Sequence, residues 1–327
     1  FPSCMRSSKA GSNFLFLLPL TFHSSGRFSG IELILLTKIY SMRSIGLDIG
    51  FGHTKVVWDE GSLKFPSWVA YWTGTGLEDI KPIEFDGAYF VVGEPAKFAK
   101  RVEIAGVDEL IKYYPLFTKY VLEVLRVPAK QALVITGLPP RYISRAEEVK
   151  KSLSAIGVKS LIVFQGFGVY YDVKEKGISS GLVVDIGFNT VDYLAFSVEG
   201  EQFIKELAGS IASLGVINAV LIFRDLLPSN LESLRAKSPS SLINVFVQGR
   251  FKQYDLSEYK RKAVEQWNEM LKSRLRQEIG SLFLEKDTLI IAGGGAYLVS
   301  EEVFEQEVVI PDEPEFSNAR GYWKIGK

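Results

Sequence analysis

The sequence predicts an α/β fold built from two related lobes, and three observations carry that reading. The tetrapeptide DIGF occurs twice, at 48–51 and 185–188, each time after an apolar run. Strand-like and helix-like stretches alternate through both halves, as they do where helices cover a sheet. Near the C-terminal end, TLIIAGGGAYLV at 288–299 sets a short apolar run directly before three glycines.

The elements follow in order. Residues 44–58 read as strand on both sides of a GFG turn, and 63–71 and 84–93 as further strands punctuated by Pro and Gly. Residues 106–126 have helical spacing through Leu110, Tyr114, Phe117, Val121, Leu122 and Leu125. A short apolar strand at 132–136 runs into GLPP, 144–156 reads as a helix with a charged face, and 160–164 as another strand. The second half repeats the plan. Residues 181–185 and 191–198 flank the second DIGF turn as strands. Helices are expected at 216–227, 231–242 and 257–284, the last with Val264, Trp267, Met270, Leu271, Leu275, Ile279 and Leu282 on one stripe. Residues 206–220 are expected to connect into the outer part of the second lobe. The strand at 288–292 is expected to lead through the glycines into a helix. No low-complexity linker divides the halves, so they are expected to pack together as an N-terminal lobe, 42–178, and a C-terminal lobe, 179–327.

The first 41 residues fit this pattern poorly. They are read as an extension outside the fold, with Met42 as the expected initiator. The competing reading is a signal peptide with Arg6 and Lys9 before a short apolar stretch at 14–20. No run reaches the ~18 apolar residues that a membrane span needs, and a cytoplasmic protein is expected.

Composition narrows the function. With 38 basic and 38 acidic side chains, there is no net positive field to drive non-specific nucleic-acid binding. The single cysteine, Cys4, forms no intramolecular disulfide, and the two histidines, His23 and His53, are too few for a His-based metal site.

The chemistry lies in the repeated turn. Asp48-Ile49-Gly50-Phe51 matches Asp185-Ile186-Gly187-Phe188. A glycine there lets the backbone bend tightly and turns N–H groups toward an anion. A carboxylate cannot sit beside phosphate without a cation between them, so Asp48 and Asp185 are read as orienting the waters of a nucleotide-bound Mg²⁺. Lys55 would neutralise phosphate oxygens. A single D-x-G is an ordinary hairpin turn; the paired copies support two loops gripping one polyphosphate. Gly293, Gly294 and Gly295 would then admit a flat ligand or phosphate close to the backbone.

Hairpin turn, hairpin turn, strand–GGG: taken together, this order resembles the actin-like ATPase superfamily, and within it the ParM/StbA-type plasmid segregation actins and archaeal actin-like proteins. GLDIGFGHTKV at 46–56 is similar to the family's first phosphate loop, and LVVDIGFNTVDYLAF at 182–196 to its second. FPS at 65–67, ITGLPPRY at 135–142, IIAGGGAYLV at 290–299 and FSNARGYWKI at 316–325 resemble further family segments. The resemblance covers Met42 to the C-terminus. It implies duplicated ribonuclease-H-type lobes with a nucleotide cleft between them. It also implies that Asp48, Gly50, Gly52, His53, Thr54 and Lys55 of the first loop contact the nucleotide. Gly187, Phe188, Asn189 and Thr190 of the second loop, and Gly293, Gly294, Gly295 and Tyr297 of the third motif, would do the same. His53 is a tolerated loop residue rather than a general base. Gln165, in VFQGFG, stands where the superfamily places a Gln or Glu near the γ-phosphate; read alone it is a helix-capping or solvent glutamine. Asp192 and Asp185 complete the expected catalytic set.

The resemblance thus implies an ATPase, with GTP as a second candidate nucleotide, that uses Mg²⁺ to polymerise. It further implies self-assembly into filaments for DNA segregation or cytoskeletal positioning, through a DNA-binding adaptor rather than direct nucleic-acid or membrane contact. A sugar or small-molecule kinase, a chaperone-like ATPase and a non-polymerising nucleotide-binding scaffold are the competing uses of such a fold. A kinase needs an aspartate base toward a substrate hydroxyl, where this chain has Gln165.

Overall fold

The computed structural model describes residues 42–74, 80–104 and 106–327; the expectations for residues 1–41, Cys4 and His23 among them, lie outside these. The first sheet contains β1 (Arg43–Ile49), β2 (His53–Trp58) and β3 (Gly61–Pro66). A small separate sheet follows, of β4 (Val69–Tyr71), β5 (Ile83–Phe85) and β6 (Ala88–Val92), in the order β4-β6-β5. β7 (Ala132–Leu138) and β8 (Lys159–Phe164) complete the first sheet in the order β3-β2-β1-β7-β8. β1 to β3 are antiparallel neighbours, and β7 and β8 add parallel to β1.

The second sheet repeats this plan. β9 (Ser180–Ile186), β10 (Thr190–Glu199) and β11 (Gln202–Ala212) form its antiparallel part. A two-residue hairpin, β12 (Arg250–Phe251) and β13 (Tyr254–Asp255), stands apart. β14 (Thr288–Ala292) and β15 (Glu307–Val309) then add parallel to β9, giving the order β11-β10-β9-β14-β15. The duplicated DIGF motif therefore ends the central strand of each sheet. Those strands are largely apolar because both their faces are covered: every residue of β1 after Arg43 is buried.

Each sheet has its own core. In the first, the helix Val107–Leu125 lays Leu110, Ile111, Tyr114, Phe117, Val121 and Leu122 on the sheet. Asp108 and Glu109 stand in its first turn, where negative charge suits the helix dipole. In the second, the helix Ser257–Ile279 buries Ala263, Trp267, Leu271, Leu275 and Ile279, one residue in every four. Burying each large apolar side chain of this kind contributes about 1.5–3 kcal/mol.

The last helices of the two halves are exchanged. Phe167–Val173 follows β8 yet packs Val169, Tyr170 and Val173 against Val183, Leu194, Phe196 and Ile290 of the second sheet. Ser317–Ile325 follows β15 yet packs Ala319 on Val57 and Tyr322 on Ile135 and Val163 of the first. A boundary at 178/179 separates the two sheets in sequence but not their helical covers. The two exchanged helices touch backbone to backbone, since a Cβ at Gly321 would run into the Gly168 carbonyl.

Several expected elements differ. The single strand at 63–71 is two, divided at Ser67 and Trp68 as the chain leaves the first sheet. The 84–93 segment is a hairpin whose Asp86 and Gly87 both have positive φ, the requirement of a tight I′-type turn. The expected helix at 231–242 breaks into Glu232–Arg235 and Pro239–Gln248, because Pro239 starts a new helix capped by the Ser238 hydroxyl. The expected helix at 257–284 stops at Ile279, where Gly280 takes φ 68°. Residues 206–220 are not mainly a connection: their first part belongs to β11, whose polar outer positions hid its strand pattern. After the three glycines there is only the short 3-10 turn Ala296–Leu298. No helix among the described residues is long and apolar enough to cross a membrane.

Candidate functional site: two facing turns

The two DIGF turns have the same internal geometry. Gly50 N–H donates to the His53 carbonyl at 3.2 Å, and Gly187 N–H to the Thr190 carbonyl at 2.9 Å. They also face each other: a Cβ on Gly52 would sit 3.8 Å from Cβ of Phe188. The antiparallel register sets Asp48 directly opposite Lys55 and Asp185 directly opposite Asp192. At equivalent places, then, one lobe has an acid–base pair and the other has two acids.

In the first lobe Lys55 Nζ donates to Asp48 Oδ2 at 3.0 Å, and Gln165 Nε2 donates to Asp48 Oδ1 at 3.2 Å. Burial disfavours the Lys55 charge, but Asp48 and then Asp185 outweigh it and hold its pKa above the ordinary lysine value. In the second lobe burial, then Asp48, then Asp192 push Asp185 up to about 7, with Lys55 and Asn318 opposing. Burial is also the main cause that raises Asp192 to about 6, against a hydrogen bond from the Ser210 hydroxyl. Burial, more than any neighbouring carboxylate, is what disfavours the ionised forms of both aspartates.

The third motif docks on the second turn. Gly295 N–H donates to the Ile186 carbonyl at 2.9 Å, and a Cβ on Gly293 would run into the Asp185 carboxylate and the Ile186 carbonyl. Gly293 has φ 81°, a further reason for glycine. Gly294 differs. It is exposed between two buried glycines, and a Cβ there would have nothing within 4 Å. Packing leaves this side open.

The structure brings Asp48, Lys55, Gln165, Asp185 and Asp192 together around the facing turns. Others are turned elsewhere. The Thr54 hydroxyl is buried against Ser67 Oγ at 2.9 Å, while Ser67 Oγ donates to the Gly50 carbonyl at 2.6 Å and pins the turn from behind. His53 is exposed; desolvation of its ring, then Lys64 and Lys55, pull its pKa below the ordinary imidazole value. Tyr297 is 64% exposed and donates to Glu315 at 2.6 Å, which raises its pKa to about 12. Asn189 is exposed and offers its carbonyl to Gly215 N–H; the Phe188 carbonyl accepts from Ile217 N–H at the start of the next helix.

Sequence reasoning passed over three residues here. Ser67 was visible only as part of FPS. Asn318, in FSNARGYWKI, donates to Asp185 Oδ2 at 2.7 Å and accepts from Gly166 N–H at 3.1 Å. Tyr322, in the same segment, is fully buried beside Gly137 and Gln165, and its hydroxyl has no hydrogen-bond partner among the described residues. A separate open depression of about 600 Å³, lined by Arg224, Asp225, Ser229, Glu232, Arg235 and Ala236, shares no residue with this cluster.

As for a metal, no group of three or more His, Cys, Asp or Glu side chains among the described residues is placed to cage an ion. The donor set, three carboxylates short of positive charge, fits an ion that keeps its waters and uses only one or two protein ligands.

Duplicated sheets, paired turns that end their central strands, and a glycine triplet docked on one of them define a two-lobed α/β protein of the actin fold. Residues 46–168 match the family model "Actin like proteins N terminal domain", and residues 183–305 match "Archaeal actin homologue MreB-like, C-terminal". The chain belongs to the actin-like proteins. Among solved structures it is similar to the archaeal actin homolog Ta0583 (23% identity, 87% of this chain and 99% of that one, TM-score 0.70). It is similar to the same homolog in complex with ADP (21%, 86% and 98%, TM-score 0.66). It is similar, too, to the subunit of a 15-stranded ParM filament from Clostridium botulinum (19%, 88% and 99%, TM-score 0.64). The comparison with curated proteins gave no match.

Proposed function

We propose that the protein binds Mg·ATP between the two turns, hydrolyses it, and assembles with copies of itself into filaments that serve DNA segregation or cytoskeletal positioning in the cytoplasm. The observation that carries the reading is the facing arrangement of Asp48–Lys55 and Asp185–Asp192, with Gly294 open beside it. Support comes from the solved relatives, one described as an ADP complex and another as a filament.

Asp48, Asp185 and Asp192 would hold the waters of a Mg²⁺ that arrives with the nucleotide and supplies positive charge to its phosphate oxygens. Lys55, freed from Asp48 by that charge, would turn to phosphate. Backbone N–H groups of both turns would donate to phosphate oxygens without changing shape. Gln165 would accept a hydrogen bond from the attacking water through Oε1 while its amide stays on Asp48. A neutral amide suits water, which needs orientation more than early proton removal. The water oxygen bonds to the γ-phosphorus, the bond to the bridging oxygen breaks, and the water proton passes to phosphate. Lobe closure on ATP would favour assembly, with a DNA-binding adaptor linking filament to cargo.

Light scattering and phosphate release, followed together after adding Mg·ATP or Mg·GTP, test the reading. Scattering that rises on triphosphate and decays as phosphate appears is the expected result. Binding without scattering would favour a non-polymerising scaffold, and ADP formed only with a hydroxyl acceptor, without phosphate release, would favour a kinase.

A further inference from the structure

Asn318 joins the two halves of the site through one side chain. It lies on the helix Ser317–Ile325, which packs on the first sheet, yet it bonds to Asp185 at the end of the second sheet's central strand. Its orientation is forced. Gly166 N–H can only donate, so it must meet the amide oxygen, and this leaves the NH₂ group for the Asp185 carboxylate. An amide supplies donor and acceptor at this spacing; a carboxylate or an apolar residue does not.

The two contacts matter because of what they touch. Gly166 directly follows Gln165, has φ 88°, and begins the helix Phe167–Val173. Gln165 N–H is held by the Leu138 carbonyl at 2.7 Å, so the Gln165–Gly166 segment is fixed on one side by β7 and on the other by Asn318. The same amide holds Oδ2 of Asp185. Helix docking does not depend on it. That is secured by Asp172, which accepts from Ser317 Oγ at 2.8 Å and Arg320 Nε at 2.8 Å and pairs with Lys324 at 3.2 Å. Asn318 is 4% exposed, so water does not substitute for it.

We infer that Asn318 is a positioning residue for hydrolysis: it ties the placement of Gln165 to the placement of Asp185. Movement of Asp185 toward bound nucleotide is thereby transmitted to the peptide that carries Gln165, and the water is aligned only when the second turn is engaged. This rests on the ATPase reading above.

The experiment measures ATP affinity and single-turnover phosphate release for wild type, Asn318→Ala, Gln165→Ala and the double variant, with Ser317→Ala as a control on the same helix. Asn318→Ala should keep its ATP affinity within a few-fold and lose turnover by about 10- to 100-fold, the scale on which small misplacements act. Because Asn318 works through Gln165, the double variant should be no slower than Gln165→Ala alone. Ser317→Ala should melt earlier while turning over normally. Multiplying losses in the double variant, or wild-type turnover in Asn318→Ala, would overturn the inference. A loss of affinity matching the loss of turnover would do the same. If Asn318→Ala does not fold, Asn318→Asp keeps an acceptor for Gly166 and sets a second carboxylate against Asp185; slow turnover with a folded protein supports the inference, and failure of both variants to fold shows a structural role instead. A wild type that releases no phosphate removes the ATPase reading and this inference with it, whereas an active wild type matched by Asn318→Ala removes this inference alone.

Discussion

Asp192 on β10 stands directly opposite Asp185 on β9, in the register position that Lys55 holds opposite Asp48. One backbone plan thus presents a balanced pair in the first lobe and an excess of negative charge in the second. The consequence is electrostatic. The first turn can face phosphate through Lys55, while the second needs a cation or a proton between its carboxylates.

Removing the carboxylate charge at the end of either central strand should weaken the grip on the metal. Asp185→Asn and Asp48→Asn keep the shape of the turns, and Asn at 48 still accepts from Lys55. Each should raise the Mg²⁺ concentration needed for half-maximal ATP turnover by about tenfold or more, as losing a ligand-orienting group does. Turnover titrated against Mg²⁺ measures this. Wild-type curves for both variants would exclude a metal role.

Gln165→Ala should separate binding from chemistry. Nucleotide affinity should stay near wild type, while phosphate release slows by ~10²-fold, typical of losing one positioning or proton-transfer group. Filaments that need only bound ATP should form and outlast those of the wild type in light scattering. Phosphate release at the wild-type rate would remove Gln165 from the mechanism.

The nucleotide-free protein should lose stability as pH rises through neutrality. Asp185 at about 7 and Asp192 at about 6 lie above the ~4 of a carboxylate in the unfolded chain. Between those values the folded state binds more protons, so its stability is greatest on the acid side and falls as pH rises through about 6 to 7. Melting temperatures recorded from about pH 5 to 8 should decline, and Asp192→Asn should flatten the slope. Adding Mg·ATP should restore the alkaline end. A wild-type slope unchanged by Asp192→Asn would contradict the assignment.

The glycine triplet should split by position. Gly293→Ala meets the Asp185 carboxylate and the Ile186 carbonyl at a positive φ, and overpacking of this kind costs about 1–3 kcal/mol. A Cβ at Gly294 has nothing within 4 Å, so Gly294→Leu should melt like wild type and lose ATP affinity only. Thermal melts beside an affinity measurement decide this. Equal effects of the two changes on stability would mean that Gly294 is not open to a ligand.

The sequence by itself determined the duplicated sheets and their two turns. Their signals are local: an apolar run, a glycine that must bend, and a second apolar run recur in each half, and the middles of β1 and β9 are apolar because both faces are covered. It also singled out Asp48, Asp185 and Lys55 through the repeated turns, while Gln165 and Asp192 followed from the family resemblance those turns carry. Only the tertiary structure decided what those residues meet. Register put Asp192 against Asp185 and Lys55 against Asp48, which depends on how strands align rather than on what they contain. The exchange of the helices Phe167–Val173 and Ser317–Ile325 between sheets, made possible where Gly168 and Gly321 let two backbones touch, brought Asn318 to Asp185 across more than a hundred residues of chain. The same long-range packing turned Thr54 away onto Ser67. Such contacts join segments far apart in sequence, and no local pattern of propensity or periodicity encodes which distant partner a side chain will face.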